Sequence, residues 1–428
     1  MSAAAPHRTR THDIRRTAAP GGRPAAKRAA RHGAAVLGAL ALALLPGTAA
    51  TASPTDSPGG PSAERRRTEA GRLPKEAGRL RTEAGGSRTE QALRARTKPR
   101  VERASLTAHG TEANDASWGA VISADGRYVA FTSKATNLTP DPQNPYLPDT
   151  YVKDLRTGAV TFIRDGLGGV RISADGRCVG TNDFGAHDLQ GFVHDLKAGT
   201  RQALGSARGG SRITGLSGDC RYAVYTANPH HPADPQRIYL RDRTTGQDTL
   251  VSHPPTPEQY DMSDGSLSAD GRTLAYRAHR RLGDGPDRDD IVVADLRTGK
   301  RRQLDGSQDD ATAGLVQLDA GGRAVACTVG PDTYVHDLRT GRTTRLNGVR
   351  GRALSPDGGH LLYTDGSTEA LRLRDLRSGA DHLVAAQAGA EPGALTAHGR
   401  TAVFATAAGD LVPSGTNGVA DVFVRHRR

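Results

Sequence analysis

Five groups of residues in this 428-residue chain have the types and spacing to do chemistry. His230, His231 and Asp234 in "NPHHPAD" offer two imidazoles and a carboxylate, a set that would ligate a metal if a neighbouring loop completed it; a solvated loop beside prolines accounts for the same residues. Asp141, Asn144 and Asp149 place oxygen ligands at roughly the spacing of a calcium loop, and Asn417 with Asp421 echo that pattern near the C-terminus. Both loops lack the full run of carboxylates, and Asx turns explain the same side chains, so the metal inventory stays open. Arg171, Arg212 and Arg352 stand in segments that are otherwise small or apolar and are the tentative ligand-binding residues, suited to an anion in a channel; strand-end charges in water are the bland reading. Cys178, Cys220 and Cys327 are an odd set for an exported chain. The first two fall at equivalent turns of adjacent repeats, which makes a disulfide between them conceivable. Cys327 takes a slot held elsewhere by Phe131, Tyr225, Tyr276, Tyr363 and Phe404, and reads as a small buried apolar group.

No contiguous catalytic signature accompanies these groups. "GLSGD" from Gly215 lacks the closing glycine of a nucleophile elbow, and neither H-E-x-x-H nor a phosphate-cradling glycine loop occurs. The sequence therefore implies no cofactor, and an enzyme is the less favoured reading.

The elements that position these residues are a repeat. "ISADGRYVAFTS" at Ile122 returns at Ile172, Leu216, Leu267, Leu318, Leu354 and Leu395, seven copies spaced 36 to 51 residues apart. A second stretch, "VKDLRTG" at Val152, follows each copy, ending in the truncated "VRHRR". Each stretch is a β-hairpin in residues: apolar runs flank Asp-Gly or Thr-Gly, and the glycine takes the positive φ of a tight turn. Each repeat is thus four antiparallel strands, here named A to D. A sheet of about 40 residues cannot cover both of its faces alone, whereas seven arranged radially cover one another. The expected fold is an all-β, seven-bladed β-propeller of four-stranded blades.

The last copy stops after strand C. "RVERASLTAHG" from Arg100 precedes the first strand A as "DTLVSHPP" precedes the fourth, so Val101 to Thr107 is expected to pair with Asp421 to Arg425 and close the ring. "SADGRYVAFTS", "VKDLRTG" and "VPSGTNGVADVFVR" resemble the TolB-like propeller repeats of exported bacterial proteins over roughly residues 101 to 428. That resemblance implies fold more than function. The separate N-terminal domain of TolB has no counterpart here, which argues against a TolB role in outer-membrane energetics.

Charge divides the chain. Residues 1 to 100 hold 20 Lys+Arg against 7 Asp+Glu, leaving 38 and 39 in the remainder, so the basic balance gives no support for nucleic-acid binding by the repeats. Residues 1–52 read as a signal peptide: a basic stretch, the apolar run "GAAVLGALALALLPG", and small residues with cleavage expected after Ala50 or Ala52. Residues 53–99 read as a disordered basic linker, and residues 100–428 as the propeller.

Function follows from the turns. A–B turns are all "ADGR"-like and C–D turns all "RTG"-like, whereas B–C and D–A connections take all the length variation, as in "KATNLTPDPQNPYLP" from Lys134. Variable loops on a rigid scaffold are where binding resides. The expectation is a secreted or envelope-associated, monomeric, non-enzymatic propeller that binds an envelope or extracellular protein or glycan through its long-loop face. The alternative is a propeller lyase or hydrolase with a site at the channel mouth. Neither reading makes it an integral membrane protein after signal cleavage.

Overall fold

The computed structural model describes residues 100–427, apart from the segments 142–145, 165, 185–187, 206–209, 228–234, 254–259, 281–287, 305–311 and 413–416. The expected signal peptide and linker, residues 1–99, together with His230, His231, Asp234 and Asn144, lie outside the described residues.

Six four-stranded antiparallel sheets follow one another in chain order, and a seventh joins the two ends of the repeat region. Blade one shows the pattern: strand A Ser117–Ile122, B Tyr128–Ser133, C Asp149–Asp154 and D Val160–Ile163. Strand B has a two-sided apolar character because neighbouring blades cover both faces: Val129, Ala130 and Phe131 are all fully buried. Clusters of buried side chains cross from blade to blade, as where Phe131 and Tyr151 of blade one share a core with Phe404 and Phe423 of blade seven.

The ring closes as the truncated last copy requires. Arg100–Arg103 pairs antiparallel with Asp421–His426, which pairs in turn with Thr401–Thr406. The ladder runs from Arg100 opposite His426 to Arg103 opposite Phe423, and Ala104 N–H still reaches Val422 O at 2.8 Å. Beyond that the segment turns away, with Leu106 bridging to Glu112. A buried polar knot fixes the seam: Arg103 meets Glu112 at 2.7 Å and Asp421 at 3.3 Å, and Ser105 Oγ donates to Asp421 at 2.7 Å. Burial raises the Asp421 pKa against the pull of Ser105 and Arg103. The inner position of this blade is occupied by a segment that makes only the bridges Gly389 to Ala405 and Leu395 to Ala402, not a regular strand. Pro392, which has no N–H, and Gly393 at φ 97° interrupt it.

The repeated residues hold the turns. Asp154 Oδ1 accepts the N–H groups of Arg156 and Thr157, and the equivalent aspartates Asp195, Asp242, Asp295, Asp337 and Asp375 do the same in blades two to six. The A–B arginine then crosses to the C–D aspartate of its own blade: Arg127 to Asp154 and Arg177 to Asp195 at 2.6 Å, Arg221 to Asp242 at 2.9 Å. The two recurring stretches are thus one device, two hairpins of a blade latched at the same end. The recurring stretches show the turns in the sequence, but the latch between them appears only in the structure.

A second set of bonds links the blades at that end. Ala124 N–H donates to Ala174 O, Ala174 to Gly218, Gly218 to Ala269, Ala269 to Ala320 and Ala320 to Pro356, at 2.8 to 3.1 Å. The series stops at Pro356, which has no donor to pass on. There Asp357 takes over, accepting His398 N–H at 3.1 Å and lying 2.8 Å from the His398 ring.

Cys178 and Cys220, whose pairing the sequence left open, form a disulfide between blades two and three, with Cα atoms 5.9 Å apart. Cys220 sits where other turns carry glycine and keeps the turn's φ of 63°, a conformation that costs a non-glycine residue roughly 1 kcal/mol. Cys327 is buried, and desolvation pushes its thiol up to about 12, as befits an inert apolar slot.

Candidate functional site: the central channel

Strands A line the axis of the ring, so each presents one backbone edge to the centre with no neighbouring strand to satisfy it. In five blades this strand carries a bulge, between Trp118 and Val121, Ile213 and Gly215, Ser263 and Ser266, Leu315 and Gln317, and Gly351 and Ala353. A bulge adds a residue that faces no partner and re-aims its neighbours. The first paired position after it carries Val121, Gly215, Ser266, Gln317 and Ala353, and Arg171 holds the matching position in blade two.

The polar members of this layer reach along the ring to the next inner edge. Arg171 Nε donates to Thr214 O at 2.7 Å, and its Nη1 donates to Val170 O at 2.9 Å. Ser266 Oγ accepts Leu318 N–H at 3.0 Å. Gln317 Oε1 accepts Leu354 N–H and Gly393 N–H, both at 3.1 Å, spanning blades six and seven. Asn182 does similar service, its Oδ1 accepting Ile213 N–H at 2.9 Å and its Nδ2 donating to Gly168 O at 3.1 Å. Unpaired backbone groups at an inner edge are costly to leave dry, and these side chains answer them.

Inside this layer lies a cavity of about 340 Å³, running from the A–B turns to the starts of the inner strands. Arg171, Arg212, Asp264, Ser266 and Gln317 all border it. Burial lowers the Arg171 pKa, Arg212 nearby adds to that, and Glu391 and Asp264 oppose it. Asp264 is a bulge residue at φ 56°, and its carboxylate lies 3.1 Å from Arg277 rather than on Arg171. Arg277 also approaches Asp289 at 4.0 Å, and Asp289 Oδ1 accepts from His279 Nδ1 at 2.9 Å.

The structure thus brings Arg171 and Arg212 to one cavity and leaves Arg352 out of its lining. Arg352 is the bulge residue of its own strand, and its Nε donates to Thr364 Oγ1 at 2.8 Å. Of the calcium-like residues, Asn417 Nδ2 donates to Ala113 O at 2.9 Å and Asp421 belongs to the seam. Among the described residues no group of three His, Cys, Asp or Glu side chains is arranged to hold a metal. Ser266, Gln317 and Asp264 went unrecognised in the sequence; the signal available was that a polar residue replaces a small or apolar one at the same point of the repeat.

No family model matches the sequence, and no curated protein matches it. Solved structures do. An oligogalacturonate lyase in complex with manganese aligns at TM-score 0.53 and 14% identity, covering 77% of this chain and 96% of that one. A prolyl endopeptidase aligns at 0.51 and 15%, covering 73% of this chain and 50% of that one. TolB from Acinetobacter baumannii aligns at 0.38 and 18%, and the match spans 54% of either chain, about half the length of TolB. The similarities to the lyase and the endopeptidase, at these identities, show the propeller fold alone.

Proposed function

We propose that the chain is an exported, TolB-like, non-enzymatic β-propeller that binds an envelope or extracellular protein, or a cell-wall glycan, through its long-loop face. The observation that carries this reading is the loop between strands B and C of blade one. Its first half is pinned: Ala135 and Leu138 are buried, Tyr151 Oη donates to Ala135 O at 3.0 Å, and Asn114 N–H donates to Asn137 Oδ1 at 3.0 Å. Its second half presents Tyr146, 87% exposed, with Leu147 beside it. An aromatic ring held out on a rigid base is the contact that glycans and protein partners use best. Export is supported by the basic-apolar-small N-terminus and by the Cys178–Cys220 disulfide, which persists in an oxidising compartment.

A photo-crosslinker placed at position 146 of the full chain, exposed to envelope fractions, should capture a defined protein or glycan, whereas the same group at position 339, in a C–D turn, should not. Capture at 339 alone would move binding to the opposite face. The second reading, an enzyme at the channel mouth, draws on the His279–Asp289 pair beside cavity residue Asp264. It requires turnover of a glycan or peptide that His279→Gln abolishes without lowering the melting temperature.

A further inference from the structure

We propose that the central channel is a binding site for a small hydroxycarboxylate, with Arg171 and Arg212 holding the carboxylate and Ser266 and Gln317 the hydroxyls. This goes beyond the loop-face reading and does not depend on it, because the channel and the blade-one loop share no residue.

The argument starts from counting donors. A guanidinium has five N–H groups, and Arg171 spends one on Thr214 O and one on Val170 O. Its other three have no partner among the described residues, and no described carboxylate lies within 4.0 Å of it. Arg212 is exposed to the same cavity and likewise has neither ion pair nor hydrogen bond among the described residues. Asp264 borders the cavity but is engaged by Arg277. A half-buried cation with Glu391 and Asp264 near but no described carboxylate at ion-pair distance has lost hydration that no close partner replaces, and a second cation beside it adds repulsion. An entering carboxylate relieves both, and the planar fork of a guanidinium matches its two oxygens.

The remaining lining selects among anions. Ser266 Oγ is already an acceptor from Leu318 N–H, so its hydrogen points elsewhere; Gln317 Oε1 is doubly occupied, so its Nε2 is left to donate. Both are donors without an acceptor among the described residues. A wall that offers cations and neutral donors fits a ligand rich in oxygen acceptors. At about 340 Å³ the space is of small-molecule size, near the lower end of the usual range for ligand pockets.

The test is calorimetric titration of the full chain at low ionic strength with gluconate, butyrate and inorganic phosphate, each against chloride at matched salt. Gluconate should bind at least about tenfold more tightly than butyrate, which has the carboxylate but no hydroxyls, and raising the salt should weaken it. Arg212→Gln, which removes no internal bond, should weaken gluconate about tenfold or more, as should Arg171→Lys, while Arg352→Gln should leave it unchanged. If Arg171→Lys does not fold, Arg212→Gln decides. No binding beyond chloride by any of the three, or equal affinity in Arg212→Gln, would overturn the site. Phosphate or butyrate matching gluconate would overturn the hydroxycarboxylate assignment.

Discussion

The two ends of the ring are built from the same strands and treat their polar groups in opposite ways. At the turn end, blade after blade repeats one solution: the C–D aspartate caps its own turn, the A–B arginine latches onto it in blades one to three, and backbone bonds pass from Ala124 round to Pro356. At the strand-start end the blades diverge. Trp118, Arg212, Ser263, Gly314 and Arg350 hold one equivalent position and Gly119, Ile213, Asp264, Leu315 and Gly351 the next. Repetition marks what folding needs, because every blade faces the same geometric problem. Departure from it, where the scaffold does not require it, is what the proposed channel site is built from.

The strongest way to break the comparison is to open the ring, since both ends rely on closure. Deleting residues 100–107 removes the seam strand and strands the buried Asp421 and Glu112 without Arg103. It should lower the melting temperature by on the order of 10 °C, whereas deleting residues 53–95 should barely change it. Equal melting temperatures in a calorimetric scan would count against closure as the source of stability.

Next comes the disulfide at the turn end. Its 42-residue separation corresponds to about 4 kcal/mol of loop-closure stabilisation. Cys178→Ser with Cys220→Ser should lose much of that in a denaturant titration. Cys178→Ser with Cys220→Gly should lose roughly 1 kcal/mol less, because glycine accepts the φ of 63°. A double serine variant as stable as the parent would remove the disulfide from the account.

His194 adds a pH dependence. Burial, reinforced by Arg201, lowers its pKa to about 4, and Thr181 Oγ1 lies 3.0 Å from its Nε2. Below its unfolded value of about 6.5 the unfolded chain binds a proton that the folded one refuses. Stability from this group is therefore complete above about pH 6.5 and is lost as pH falls towards 4, by about 3 kcal/mol at most. His194→Gln should flatten stability over that window; an unchanged slope would assign the effect elsewhere.

A smaller effect is expected at a single C–D turn. Asp195→Ala leaves the N–H groups of Lys197 and Ala198 without their acceptor and should cost about 1 kcal/mol. The Arg177 latch holds the Asp195 carboxyl below its usual range, so this contribution is present above about pH 4 and fades as pH falls through the lowered value. Smallest of all, Arg212→Gln should leave stability unmoved, because that side chain makes no bond among the described residues, whereas each turn-end aspartate makes several.

Much of this was legible before any coordinates. "ADGR" and "DLRTG" name their own turns, because Asp and Gly at those offsets favour a tight hairpin, and the missing strand after "VRHRR" called for Arg100 onward. The channel was legible only in part. Arg171, Arg212 and Arg352 look alike in sequence, yet Arg352 is an unpaired bulge residue bonded to Thr364, Arg171 lies one position past the equivalent point, and Arg212 lies ahead of its own bulge. An inserted residue breaks the alternation by which side-chain direction is read along a strand.

Sequence alone determined the number of blades, the turn chemistry and the closing strand, since each depends on residues close together or repeated at a fixed period; it put Cys178 and Cys220 at neighbouring turns but left their bond open. Which polar side chains converge on the axis was decided only by the tertiary structure. Convergence brings together residues from Arg171 to Gln317, distant in the chain, and it depends on where each inner strand bulges.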